Sequence, residues 1–153
     1  MKTDIMKYTE KISNELNELL TRNYDAEAGY KMAADRVENP ELKKFFNERA
    51  KDRYDFGHQL KNEIVSYGET PDKGTSFKGD MHRTWMNLKT ALSSNNEEVL
   101  LEEAIRGEKE FIETYNELLQ EENLAPTTES LIKVQRDSVQ NTLREIKIFE
   151  TVA

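Results

Sequence analysis

Proline and glycine residues divide this chain into segments whose lengths are compatible with only a few folds. Its three prolines stand at positions 40, 71 and 126, and three of its six glycines cluster around the second proline. Between these breaks, apolar residues recur at intervals of three and four, which is the spacing of one buried face on an α-helix. The chain therefore consists of four amphipathic helices with two short connections and one long connection.

The periodicity predicts four long helices, over about residues 4–38, 40–67, 96–122 and 127–150. Asn39 and Pro40 suit a helix N-cap followed by proline at the first helical position, so the first connection is a tight turn. A second tight turn surrounds Pro126. The long connection contains a short apolar stripe over about residues 80–92, where we expect an additional short helix.

The length of the middle connection determines the expected topology. About thirty residues can run back along a helix of about 40 Å, whereas a simple up-down-up-down bundle needs only short turns. The chain order thus predicts an all-α, ferritin-like four-helix bundle with one long crossover. With 153 residues, the chain has an ordinary size for one domain, so we expect a single domain over residues 1–153.

Charge and composition narrow the classes of function. The net charge is −8 and no segment concentrates lysine and arginine, so we expect no nucleic-acid partner. No apolar run reaches the roughly 18 residues of a membrane helix, which predicts a cytoplasmic protein without membrane contact. The chain has no cysteine, so any metal would need carboxylate or imidazole ligands.

Polar residues interrupt the buried stripes at mid-bundle. Glu27 in the first helix and Glu108 in the third stand where an apolar residue is expected. If the crossover makes helices 2 and 3 parallel, these acids lie at one level together with Asp52 and Arg53 of helix 2, and Arg49 lies one turn away. This cluster is the candidate functional site.

The cluster has two interpretations. In the favoured one, Arg49 and Arg53 neutralise Glu27 and Glu108 in a buried ion network, because two acids and two guanidinium groups balance. In the alternative, Glu27, Asp52 and Glu108 bind a hard cation, iron or manganese, through oxygen atoms.

The remaining ligands of a di-metal bundle are poorly represented. Such bundles add a Glu-x-x-His pair from each of two further helices. Asp55 and His58 have the required spacing, but both point away from the apolar stripe of their helix. Helix 4 has no histidine and no inward carboxylate near its centre, so we expect no bound cofactor.

A family resemblance supports the fold. The stretch from His82 to Lys89 resembles the H-R-x-W-x-x-L-K motif of a bacterial family of ferritin-like bundles that is classed as a domain of unknown function. Pro40 to Phe56 and Glu102 to Glu108 are similar to its second and third helices. The resemblance implies the fold and a setting sometimes discussed with stress responses, but no established reaction. We expect Trp85, with His82 beside it, to anchor the short helix against the bundle.

These observations favour a non-enzymatic bundle that works through association, either with itself or with an unknown protein partner. A homodimer is the expectation from base rates, because symmetric dimers are the commonest soluble oligomers. The alternative function is a degenerate di-metal carboxylate oxidoreductase or metal-binding protein that uses iron or manganese.

Overall fold

The computed structural model describes residues 2–73 and 97–152, and within these ranges it contains four α-helices and no strand. The helices are α1 (Lys2–Arg36), α2 (Pro40–Ser66), α3 (Glu97–Leu119) and α4 (Pro126–Val152). α3 ends earlier than the predicted limit near residue 122. The expected short helix at 80–92, with His82 and Trp85, lies outside the described residues. None of the helices in these ranges is both long and apolar enough to cross a membrane.

The turn between α1 and α2 has the predicted capping arrangement. The side-chain oxygen of Asn39 accepts hydrogen bonds from the backbone N–H groups of Glu41 at 2.9 Å and Leu42 at 3.2 Å, and Pro40 opens the helix. The Glu97 carboxylate accepts hydrogen bonds from the backbone N–H groups of Glu38 and Asn39, both at 3.3 Å. The first residue of α3 therefore lies at the turn where α2 begins.

Contacts at the other end establish the directions of the helices. The Tyr8 hydroxyl near the start of α1 donates to the Asn123 carbonyl, just after α3, at 2.7 Å. The Thr127 hydroxyl at the start of α4 donates to the Glu63 carboxylate near the end of α2, at 3.0 Å. α1 is thus antiparallel to α3 and α2 antiparallel to α4, so that α2 and α3 are parallel. The connection between α2 and α3 joins opposite ends of the bundle, as predicted.

The four helices occupy the corners of a bundle in which α1 packs on α2 and α3, and α4 packs on α3 and α2. α2 and α3 consequently lie on one diagonal. α1 and α2 approach each other closely at Gly57, where an added Cβ atom would lie 3.3 Å from the Asn23 side-chain nitrogen and 3.8 Å from Leu20. Glycine at this position lets the two helix backbones come together.

A buried ion pair at the centre of the bundle

Arg53 of α2 and Glu108 of α3 form an ion pair across the diagonal of the bundle. Both side chains are buried, with 1% and 0% of their surface exposed. Arg53 follows Ala50 and precedes Gly57 and Leu60 on the buried face of α2, and the spacing of three and four residues directs it to the core. Two opposite charges meet in an apolar interior, where each one makes burial of the other tolerable.

Three aromatic rings surround the guanidinium group of Arg53. Its central carbon lies 5.0 Å from the ring centre of Phe111, 5.8 Å from that of Tyr30 and 5.9 Å from that of Phe56. Each distance falls within the range of a cation–π interaction, which is stronger where water is excluded. The rings come from α1, α2 and α3, so the arginine is held by three helices.

A separate chain of hydrogen bonds near the ion pair connects α3 to α4. The Tyr115 hydroxyl donates to the side-chain oxygen of Gln135 at 2.9 Å. The Gln135 amide nitrogen donates in turn to the Gln59 side-chain oxygen at 2.9 Å and to the Phe56 carbonyl at 3.3 Å. These bonds satisfy the buried amide and link α3, α4 and α2.

The buried tyrosines are neutral hydrogen-bonding groups at physiological pH. Burial, followed by the charge of Glu108, raises the pKa of Tyr30 well above its usual value. Burial also raises the pKa of Tyr115, although the nearby Arg53 opposes this effect. Burial alone would lower the pKa of Arg53, but the charge of Glu108 and the adjacent tyrosines outweigh it, and the net change is upward. The arginine is therefore a permanent positive charge at the centre.

The three carboxylates considered as metal ligands each have a separate basic partner. Glu108 pairs with Arg53, Glu27 pairs with Lys31 at 2.8 Å on its own helix, and Asp52 pairs with Arg49 at 2.9 Å. Within residues 2–73 and 97–152, no group of three or more acidic or histidine side chains is placed to hold a metal ion. This donor set does not fit a di-metal centre, because its central acid is already neutralised by a buried cation.

The residues predicted to form one buried ion network also belong to separate ion pairs. These four residues are Glu27, Arg49, Arg53 and Glu108. Arg49 lies one turn before Arg53, but its guanidinium group stacks on the Phe45 ring at 5.1 Å and reaches Glu145 of α4 at 3.2 Å. Glu27 faces Lys31 at the edge of the bundle, and 14% of its side chain is exposed. Only Arg53 and Glu108 meet at the centre among these four.

The hydrogen bond from Tyr115 to Gln135 and the burial of Asp25 were not identified from the sequence, although Tyr115 was predicted to lie on the buried stripe of α3. Tyr115 is fully buried, and its spacing of seven residues from Glu108 and four from Phe111 already places it on the same face of α3. Asp25 of α1 is also fully buried, although it does not lie on the predicted apolar stripe. His58 is exposed, as expected, and packs edge-on against Tyr54 with 4.6 Å between ring centres.

A second cluster of charges ties α1 to the end of α3. Lys11 pairs with Glu121 at 2.9 Å, and Glu15 lies one turn further along α1, near the same carboxylate. Partial burial, followed by the negative charge of Glu121, raises the pKa of Glu15 from 4.5 to about 6. The folded protein therefore binds a proton at Glu15 more tightly than the unfolded chain does, and its stability falls as the pH rises through about 6.

Replacing Glu15 with glutamine should remove this cost. Above pH 6 we expect the melting temperature of the variant to exceed that of the wild type by about 2 to 4 °C, corresponding to no more than about 1 kcal/mol because solvent screens the partly exposed site. Below pH 4.5 the two melting curves should converge, since Glu15 is then protonated in both states. Thermal unfolding followed by circular dichroism measures both effects, with Glu10→Gln on the exposed side of α1 as the control. A constant difference at every pH would contradict this explanation.

Two antiparallel hairpins, α1–α2 and α3–α4, are joined so that α2 and α3 run parallel. This arrangement defines the ferritin-like class of four-helix bundles. A mutant of Dps1 from Mycobacterium smegmatis has the same fold, with a TM-score of 0.80 and 15% sequence identity over 94% of this chain and 97% of the other. The bacterioferritin-related protein from Bacteroides fragilis, described as a dodecameric thioferritin, matches with a TM-score of 0.73 and 18% identity over 97% and 94% of the two chains.

The sequence itself matches the family described as Domain of unknown function (DUF2383) over residues 11–121. The chain therefore belongs to this family, in agreement with the predicted resemblance. A comparison with curated proteins finds no match. At 15% and 18% identity, the two solved structures establish the fold alone.

Proposed function

We propose that this protein is a non-enzymatic bundle that acts by association with further copies of itself. The observation that carries the proposal is the Arg53–Glu108 pair, because a buried guanidinium group repels any cation brought next to the central carboxylate. On this proposal the centre stabilises the fold, no bound metal is needed, and function resides on the outer surface.

The comparison with solved structures supports self-association. The protein from Bacteroides fragilis is described as dodecameric, and its backbone resembles this one over nearly the full length of both chains. A surface suited to contact is present on α2, where Tyr54 is 54% exposed and lines a groove together with Lys31 and Lys51. Tyrosine is enriched at protein interfaces because it combines an apolar ring with a polar hydroxyl group.

Sedimentation velocity and light scattering at low to high micromolar concentration test the proposal. We expect a mass greater than that of one chain, with a homodimer as the smallest assembly consistent with the proposal. A monomer throughout this range would contradict it and would favour an unknown protein partner.

Elemental analysis of protein purified without chelators tests the metal-binding alternative. We expect less than stoichiometric iron and manganese, in the wild type and in the Glu27→Ala variant alike. Stoichiometric metal that is lost in Glu27→Ala, with the helical circular dichroism spectrum retained, would overturn the non-enzymatic proposal in favour of a degenerate di-metal site. Glu27 is suitable for this test because it lies at the edge of the bundle, outside the central ion pair.

A further inference from the structure

Charge is distributed unevenly between the two helices on the diagonal of the bundle. α3 contains eight acidic and two basic residues, a formal charge of −6, whereas α2 contains five acidic and six basic residues, a formal charge of +1. The whole chain has a charge of −8. Most of the excess negative charge therefore resides on one helix.

The positive surface is a groove on the outer side of the α1–α2 hairpin. One part, of about 450 Å³, is lined by Lys43, Lys44 and Lys51, and an adjoining part, of about 200 Å³, is lined by Lys31, Lys51 and Tyr54. We call these five residues the lysine groove. Lys44 is 79% exposed and lies 4.0 Å from Glu48, an exposed acid that also lines the groove, so the groove holds four lysines against two glutamates. The groove also contains Glu27, but that carboxylate is already paired with Lys31.

The negative surface is a line of exposed acids along α3, formed by Glu102, Glu113 and Glu117, which we call the acidic stripe. Their spacings of eleven and four residues place them on one side of the helix, over a length of about 22 Å. None of the three has an ion-pair partner within residues 2–73 and 97–152. The acidic stripe therefore forms no ion pair within the described part of its own chain, and its neighbour Arg106 pairs instead with Glu103 and Glu110.

We propose that the lysine groove of one copy binds the acidic stripe of a second copy. This inference rests on the proposed self-association and specifies its surfaces. Because α2 and α3 occupy opposite corners of the bundle, their outer faces point in opposite directions, and one chain cannot bring its own two surfaces together. Each copy can instead engage one neighbour through the lysine groove and another through the acidic stripe.

A second copy is the occupant that the charges favour. Copies with a net charge of −8 repel one another unless unlike surfaces meet, and opposite charges across an interface select both partner and orientation. Contact between two different surfaces is a head-to-tail arrangement. Such contacts form a closed ring if the rotation between neighbours closes and a filament if it does not.

Charge reversal on each surface tests the inference. One variant carries Lys44→Glu and Lys51→Glu, and the other carries Glu113→Lys and Glu117→Lys. Glutamate and lysine have similar helix propensity and all four sites are exposed, so both variants should fold. Each variant alone should weaken association by about a hundredfold, since like charges then face each other. A double reversal with the same charge change on exposed positions of α4, Arg144→Glu with Lys147→Glu, is the matched control for the groove variant and should leave association unchanged.

Mixing the two variants in equal amounts provides the decisive measurement. The reversed groove of one variant complements the reversed stripe of the other, and their unchanged surfaces also match, so association should return to the wild-type level. Sedimentation velocity measures this return, with circular dichroism as the check on folding. Failure of the mixture to associate, or a wild-type protein that stops at a two-fold dimer, would overturn the inference while leaving self-association intact. A wild-type protein that is always monomeric would overturn both.

Discussion

Replacing Arg53 with methionine is expected to lower the free energy of unfolding by about 3 to 5 kcal/mol, which is the usual cost of removing one partner from a buried ion pair. Glu108 has no exposed surface and would lose the guanidinium group that balances its charge. Urea denaturation followed by circular dichroism measures the loss. The exposed Arg144 provides the control, since Arg144→Met should change stability by less than about 0.5 kcal/mol.

The double variant Arg53→Met with Glu108→Leu separates the two contributions. If the loss in the single variant arises from an unbalanced charge, replacing both partners with apolar residues should restore most of the stability, to within about 1 kcal/mol of the wild type. A double variant at least as unstable as Arg53→Met would indicate instead that the geometry of the pair, including its aromatic surroundings, stabilises the fold.

Truncation of Phe111 to alanine should be comparably damaging, with an expected loss of about 3 to 5 kcal/mol. The ring is 1% exposed, lies 5.0 Å from the Tyr115 ring centre and covers the guanidinium group of Arg53. Its removal leaves a cavity and also takes away one of the three rings around a buried charge. Thermal and urea denaturation should both report the loss.

Two further substitutions make the Phe111 prediction specific. Phe111→Leu keeps most of the volume and should cost less than the alanine variant. Phe149→Ala, at a partly buried position near the end of α4, should also cost less, because it does not contact the central charge. Equal losses for Phe111→Ala and Phe149→Ala would show that the central position of Phe111 has no special importance.

The architecture could be predicted from the sequence because it depends on local signals. Pro40 and Pro126 are the first residues of α2 and α4, and Asn39 before Pro40 has the chemistry of an N-cap without any tertiary contact. The length of the connection between α2 and α3 then leaves few ways to join two hairpins. These signals do not depend on the details of side-chain packing.

The centre could be predicted only in part. Arg53 and Glu108 interrupt apolar stripes, so their burial follows from periodicity. The ion-pair partners of Arg49 do not follow from periodicity. A long side chain near the edge of a stripe can turn inward or reach a neighbouring helix, and here it reaches Glu145. The orientation of the Glu27 side chain does not follow from periodicity either, because Glu27 pairs with Lys31, four residues away on the same helix.

The diagonal position of the central ion pair has a consequence for how the two halves of the fold align. Arg53 belongs to the first hairpin and Glu108 to the second, and the residues between α2 and α3 connect them. A slip of one hairpin along the other by a single helical turn, about 5.4 Å, would bury both charges opposite apolar side chains. Apolar contacts between the two hairpins could re-form after such a slip, but the ion pair between Arg53 and Glu108 could not. The pair thus makes one axial register much more stable than its neighbours.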